Sequence, residues 1–182
     1  KVSPADEVKL ALLLWRRGMG TFVDETELYV DSAAGLVIPD GGWFCVPHKE
    51  SFDRLIYDRR PANSREQPRG WTKRTLPHGC LLCQIILESS ETIRACIDDL
   101  RTYFYCLKQP PGRNRRNPVG RALRSGDVPE ARLPAGRRYR FCLSVWGMGD
   151  GSACDVAQAT HVALLERCSN FSQGTPLIYG KP

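Results

Sequence analysis

Between Tyr139 and Cys168 the chain reads as a strand, a glycine turn and a long helix, and that order limits the fold more than any other feature. Tyr139 to Val145 has the short apolar character of a strand. Gly147, Gly149 and Gly151 then supply a turn that neither a strand nor a helix interior favours. Ser152 is a suitable N-cap for the helix that follows to about Cys168. Upstream, residues 5–17 carry apolar residues at near-helical spacing and stop at Gly18 and Gly20. Residues 28–38 alternate as a strand does. Gly41-Gly42 turns the chain into Trp43–Val46, a strand closed by Pro47, with Arg54–Asp58 as its partner and His48–Asp53 at the hairpin tip. Residues 59–79 and 108–137 read as loop, Leu81–Arg94 as helix and Ala95–Leu100 as strand, with Tyr103–Leu107 continuing the strand or turning. Strands and helices mix without βαβ regularity, so the expected class is α+β.

A length of 182 residues, 42% hydrophobic and 25% charged, suits one folded domain with a proper core. The formal charge of +6 comes mostly from arginine, whose planar fork pairs with phosphate, so an anionic partner is expected. No apolar run approaches the roughly 20 residues of a membrane span. Ala11–Trp15 is too short, and no signal-peptide cleavage pattern follows it. Eight cysteines scatter through apolar segments; Cys96, Cys106, Cys142 and Cys154 read as small buried side chains of a reducing, intracellular compartment. His78, Cys80 and Cys83 lack the fourth ligand that a zinc site needs. The chain opens at Lys1 without methionine and stops at Pro182 without a tail, so the expectation is a piece of a longer reading frame.

Three islands carry chemistry. Arg54, Asp58, Arg60 and Asn63 form Arg-x-x-x-Asp-x-Arg-x-x-Asn. Asp99 and Phe104 form Asp-x-x-x-x-Phe, with Asp98 and Tyr103 offering the same offset one residue earlier. The glycine turn at 147–151 then precedes a helix bearing Gln158. In this order, over roughly residues 45–168, the islands resemble the fingers and palm of retroelement-encoded reverse transcriptases. Residues 1–44 then form an N-terminal connecting segment, and 45–182 the fingers with a partial palm. The fold so implied is a right-hand polymerase fragment of antiparallel strands and packed helices.

The resemblance implies RNA-directed DNA polymerisation by two divalent ions, Mg2+ or Mn2+, which steady the attacking oxygen and the leaving pyrophosphate. Magnesium takes hard oxygen ligands, and Asp99, or Asp98 in the other register, matches the family's first metal-binding carboxylate. Phe104 matches the ring that excludes a ribose 2′-hydroxyl, which favours deoxynucleotides. Arg54 matches the arginine that grips the incoming triphosphate, and Lys49 is a second phosphate contact. Asp58, Arg60 and Asn63 match residues that brace the fingers and touch the template. Gly149 and Gln158 match positions beside the nucleotide pocket, with Gly147 an alternative register for the glycine. The implied partners are an RNA or DNA template-primer, deoxynucleoside triphosphates and the remainder of the polymerase, with no membrane.

The chain departs from that pattern at two places. The family carries proline before its glycine turn, where this sequence has Gly147-Met148-Gly149. The aromatic-x-Asp-Asp hairpin, source of the remaining metal-binding carboxylates, does not occur between Ala159 and Pro182. The family layout sets it just beyond that point. Three other readings follow: a catalytically inactive retroelement remnant that binds nucleic acid, an RNA-dependent RNA polymerase (disfavoured by Phe104), or an unrelated basic α+β binding module.

Overall fold

The computed structural model describes residues 2–30, 41–66, 79–95, 97 and 99–168. It divides into two compact units, one of Lys1–Gln67 with Phe104–Ala153 and one of Pro68–Tyr103 with Cys154–Pro182. Its mixture of helices and antiparallel strands is α+β, as the sequence led us to expect.

The first unit begins with helix α1, Pro4–Arg16. Ser3 caps it by accepting from the Asp6 N–H at 3.2 Å, Pro4 occupies the first turn, and Asp6 and Glu7 face the positive end of the helix dipole. Its far end closes with paired bonds from Gly18 N–H to the Trp15 carbonyl and from Met19 N–H to the Leu14 carbonyl. That closure needs a left-handed residue, which Gly18 supplies at φ +67°. Strand β1 (Gly20–Asp24) follows at once.

Strands β2 (Gly42–Lys49) and β3 (Phe52–Asp58) form an antiparallel hairpin, longer than the sequence pattern indicated. A short helix α2 (Arg60–Asn63) leaves it, and α3 (Tyr103–Cys106) takes up the aromatic run. Strands β4 (Pro118–Leu123) and β5 (Tyr139–Leu143) complete a three-stranded antiparallel sheet of order β1-β5-β4. The hairpin is tied to it where Gly41 N–H reaches the Pro118 carbonyl and Gly120 N–H reaches the Gly41 carbonyl, both at 3.0 Å. Leu14, Phe22, Tyr57, Val119, Leu123, Val128, Phe141, Leu143 and Val145 share one core between α1, the sheet and the hairpin root. Burying a large apolar side chain contributes about 1.5–3 kcal/mol, so this cluster is the main source of the unit's stability.

Several expectations change. Strand β1 was not read from the sequence at all. Strand β4 falls in a stretch rich in Pro, Gly and Arg that looked like loop; its ladder exists because β5 offers an edge, and Gly120 at φ +73° bends the strand between its two paired stretches. Leu81–Arg94 does not form the expected helix: a 3-10 turn at Gly79–Gln84 is followed by irregular chain. The described residues of 95–100 join no ladder, so Asp99 does not end a strand; Cys96 and Asp98 lie outside the described residues. Of the expected strand at 28–38, residues 31–38 lie outside them too, as does His78. Cys142 is buried as expected, whereas Cys106 and Cys154 are exposed.

In the second unit, helix α4 (Ala153–Cys168) runs on from the glycine turn, within a residue of its expected bounds. Tyr103 donates from its hydroxyl to the Ala157 carbonyl at 3.2 Å, and its ring meets His161 edge-on at 6.3 Å. No helix among the described residues is long and apolar enough to cross a membrane.

Candidate functional site

The alternation of a β-strand sends successive side chains to opposite faces, and the β2–β3 hairpin uses both faces differently. Trp43 and Tyr57 face the core with their rings 5.4 Å apart, and the Leu55 carbonyl accepts from Tyr105 at 2.8 Å. The other face carries Arg54 and Lys49, both exposed. Arg54 sits opposite Val46, and Lys49 opposite Phe52, so the two cations occupy neighbouring levels near the tip. One guanidinium nitrogen of Arg54 lies 3.2 Å from Nδ1 and 3.4 Å from Nε2 of His48. Both contacts lie within hydrogen-bonding reach, so the imidazole helps to hold the Arg54 side chain.

Asp58 at the hairpin root receives both arms of Arg60, at 2.8 and 2.6 Å, and the Asp58 carboxyl is held below the usual range by that hydrogen bond. The side chain of Arg60 is otherwise in solvent, so this is a surface pair. Asn63 does more. Its amide donates to the Gly149 carbonyl at 2.7 Å, and its carbonyl accepts from the Gly151 N–H at 3.1 Å. The closing residue of the first island thereby holds the glycine turn of the third.

Gly149 takes φ +112°, and a Cβ there would lie 2.1 Å from the Tyr57 carbonyl. At Gly147 a Cβ would meet Leu143 and the Tyr57 ring at 2.9 Å. Tyr57 N–H donates to the Met148 carbonyl at 3.1 Å. Both glycines are therefore required by β3, whose last turn of chain presses into the bend. Tyr57 is fully buried, and its hydroxyl has no hydrogen-bond partner among the described residues. Burial pushes its phenol well above the usual range.

Behind this turn lies a cluster of charges that the sequence reading did not single out. Arg59 is buried, and its guanidinium donates to Asn117 at 2.7 Å, to Asn63 at 2.9 Å and to Glu66 at 2.9 Å. Arg113 forks onto Asp150 at 2.8 and 3.2 Å, reaches Glu66 at 3.4 Å, and stacks 4.3 Å over the Trp146 ring. Two guanidiniums thus face two carboxylates, Arg59 and Asp150 out of solvent and Arg113 and Glu66 only partly so. Burial works against the charge on Arg59, but its hydrogen bond to Glu66 and the fields of Asp150 and Glu66 outweigh it and raise its pKa. Burial likewise works against the charge on Glu66, and Arg59 reverses it, leaving that carboxyl below its ordinary value. Asp150 also accepts from the Ser152 N–H at 2.9 Å, an Asx turn in the chain before α4. Arg59, Asn63 and Glu66 stand four and three residues apart, and this single-face spacing is the signal that could have revealed the cluster.

Phe104 lies half-buried on α3 in the first unit, beside Tyr105, which packs against the core. Asp99 and Gln158 belong to the second unit. Gln158 is half-buried on α4, one residue beyond the carbonyl that Tyr103 bonds. Asp99 is exposed. Magnesium is held through one or two carboxylates together with substrate phosphates, so an exposed carboxylate suits the donor chemistry. Among the described residues no group of three or more His, Cys, Asp or Glu converges to form a fuller cage. No protein-family model and no curated protein matches the chain.

Proposed function

We propose that this chain is the fingers and front part of the palm of a reverse-transcriptase-like polymerase, which supports template-directed nucleotidyl transfer in the complete enzyme. The observation that carries the reading is the pair of bonds from Asn63 to Gly149 and Gly151. Two of the three islands, far apart in sequence, are held together within one unit. Arg54 and Lys49 lie on the exposed face of the hairpin that leads into Asn63, where a triphosphate can be gripped by a fork and a point charge. His48 steadies the fork. Asp99 would hold a divalent ion, whose role is to neutralise the charge that develops on phosphate oxygens. Phe104 would stand against the sugar and favour a deoxynucleotide; the resemblance gives Gln158 a place near the nucleotide.

The test is equilibrium binding of a fluorescent deoxynucleoside triphosphate with Mg2+ and a template-primer. Saturable binding is expected, with Arg54→Ala weakening it about tenfold or more and Phe104→Ala removing the preference over ribonucleotides. Binding that survives both Arg54→Ala and Lys49→Ala overturns the assignment of the triphosphate grip. Strand binding with no nucleotide binding under any condition leaves the inactive, nucleic-acid-binding remnant as the better description.

A further inference from the structure

We infer that the outer edge of strand β1, with the cavity along it, is a docking site for an extended acidic peptide, which joins the sheet as a further strand. The site shares no residue with the nucleotide grip and stands whether or not the chain binds nucleotides. The sheet order β1-β5-β4 leaves β1 at one end. Its bonds to β5 fix which of its groups are left over. Ser144 N–H reaches the Met19 carbonyl and Glu25 N–H reaches the Arg138 carbonyl, both at 2.9 Å. Met19 and Glu25 therefore bond toward β5, and by alternation Thr21 and Val23 do too. Phe22 and Asp24 turn their main-chain N–H and C=O the other way. No backbone group among the described residues takes those of Phe22.

A cavity of about 470 Å³ follows this edge within the first unit. Thr21, Phe22, Val23 and Asp24 all border it, although successive side chains of a strand point to opposite faces. A cavity bordered by four consecutive residues runs beside their main chain. Its volume is that of an ordinary ligand site. The strand also lacks devices that close an edge. Its ladder with β5 carries no bulge, and Gly20–Asp24 includes neither proline nor lysine. An incoming strand can thus gain main-chain bonds at Phe22 while its side chains enter the cavity.

Charge selects the partner. Arg115 and Arg137 also line the cavity. Each gives one terminal nitrogen to an acid, Arg115 to Glu27 and Arg137 to Asp24, both at 3.1 Å. A guanidinium carries five N–H donors, and these two side chains are 54% and 61% exposed, so both have donors to spare. Asp24, by contrast, already accepts from the Thr26 N–H at 3.0 Å and the Thr26 hydroxyl at 2.8 Å. Nearby, Glu25 is shared by Arg138 and Arg140, so arginines outnumber acids around this end of β1. The capacity left over is cationic and donating, which suits the carboxylates of an acidic segment.

The test is fluorescence anisotropy with the full 182-residue chain and a labelled peptide of valine and threonine around two adjacent glutamates. About seven residues suffice to pass the five of β1. Saturable binding is expected. Replacing both glutamates by glutamine should weaken it about tenfold. The Arg115→Gln, Arg137→Gln double variant should do the same with an unchanged urea midpoint, because exposed ion pairs contribute little to stability. Methylating the peptide nitrogens removes the main-chain donors but keeps every side chain, and should abolish binding. Triphosphate binding by the double variant should be unchanged, which separates this site from the nucleotide grip. Absence of binding to the acidic peptide, or full affinity in its methylated form, overturns the proposal. Displacement by equimolar glutarate does so too, because carboxylates alone would then suffice. Self-association that the double variant abolishes, with no peptide binding, also overturns it, because β1 would then pair with a second copy of the chain.

Discussion

The guanidinium of Arg59 and the carboxylate of Asp150 lie 3.5 Å apart with neither side chain exposed to solvent. One leaves the hairpin and the other lies in the glycine turn, so a buried pair joins the bonds from Asn63 in linking the elements that bear Arg54 and those that bear Gly149. Removing one partner of such a pair leaves an uncompensated charge out of water, which costs more than the bond itself was worth.

Arg59→Leu should therefore destabilise the first unit by about 3–5 kcal/mol, read as the shift in urea midpoint. Arg59→Lys should recover only part of this, because an ammonium cannot serve Asn117, Asn63 and Glu66 together. A loss below ~1 kcal/mol for the leucine variant would mean that the pair is not buried as described.

Gly149→Ala combines a left-handed backbone with a Cβ that would lie 2.1 Å from the Tyr57 carbonyl. It should cost roughly 2–4 kcal/mol by thermal or urea unfolding. Gly42→Ala is the matched control, since a Cβ there meets nothing within 4 Å and should change little. Equal losses at the two positions would remove the close approach of β3 as the cause.

Acid should unfold the first unit through Glu66. Burial alone would raise its carboxyl, but hydrogen bonding and charge from Arg59 and then Arg113 hold it below the ordinary value. A group depressed in the folded state contributes stability above its unfolded pKa, about 4.3. That contribution is lost as pH falls through the folded value. Stability measured by urea titration should fall below about pH 4.3, and Glu66→Gln should flatten this limb while lowering the plateau.

Cys142 marks the alkaline side. Burial pushes its thiol up to about 12, whereas an unfolded thiol titrates near ~8.5. The folded state is favoured below the unfolded value and loses that advantage as pH rises from ~8.5 toward the folded pKa. Thiol labelling at pH 8 should spare Cys142 until urea unfolds the chain. Labelling of native protein at Cys142 as fast as at exposed Cys106 would show that the β1-β5-β4 sheet opens locally.

The elements legible in advance were those with short-range signals. Ser3 and Gly18 bracket α1, Ser152 opens α4, and the apolar runs on either side of His48–Asp53 announce the hairpin. The segment 81–100 misled because apolar spacing resembles a helix and then a strand, yet its Leu82, Ile86 and Ile97 side chains are exposed and no neighbour in the described chain gives them a face to bury. Within the candidate site, Arg54 and Asn63 were singled out through the resemblance and Lys49 through its place near the hairpin tip. Arg59 was not, because in Asp58-Arg59-Arg60 it looks like one more solvated charge.

By itself the sequence determined the α+β class and the caps and turns that bound the hairpin and the terminal helix. Those are local properties, set by side chains within a few residues of each other. The tertiary structure alone decided that β4 is a strand, that Gly149 meets the Tyr57 carbonyl, and that Arg59 is buried among Asn63, Glu66 and Asp150. Each depends on a partner supplied by a distant part of the chain, and a charge becomes structural only when the fold removes its water and provides its counter-charge.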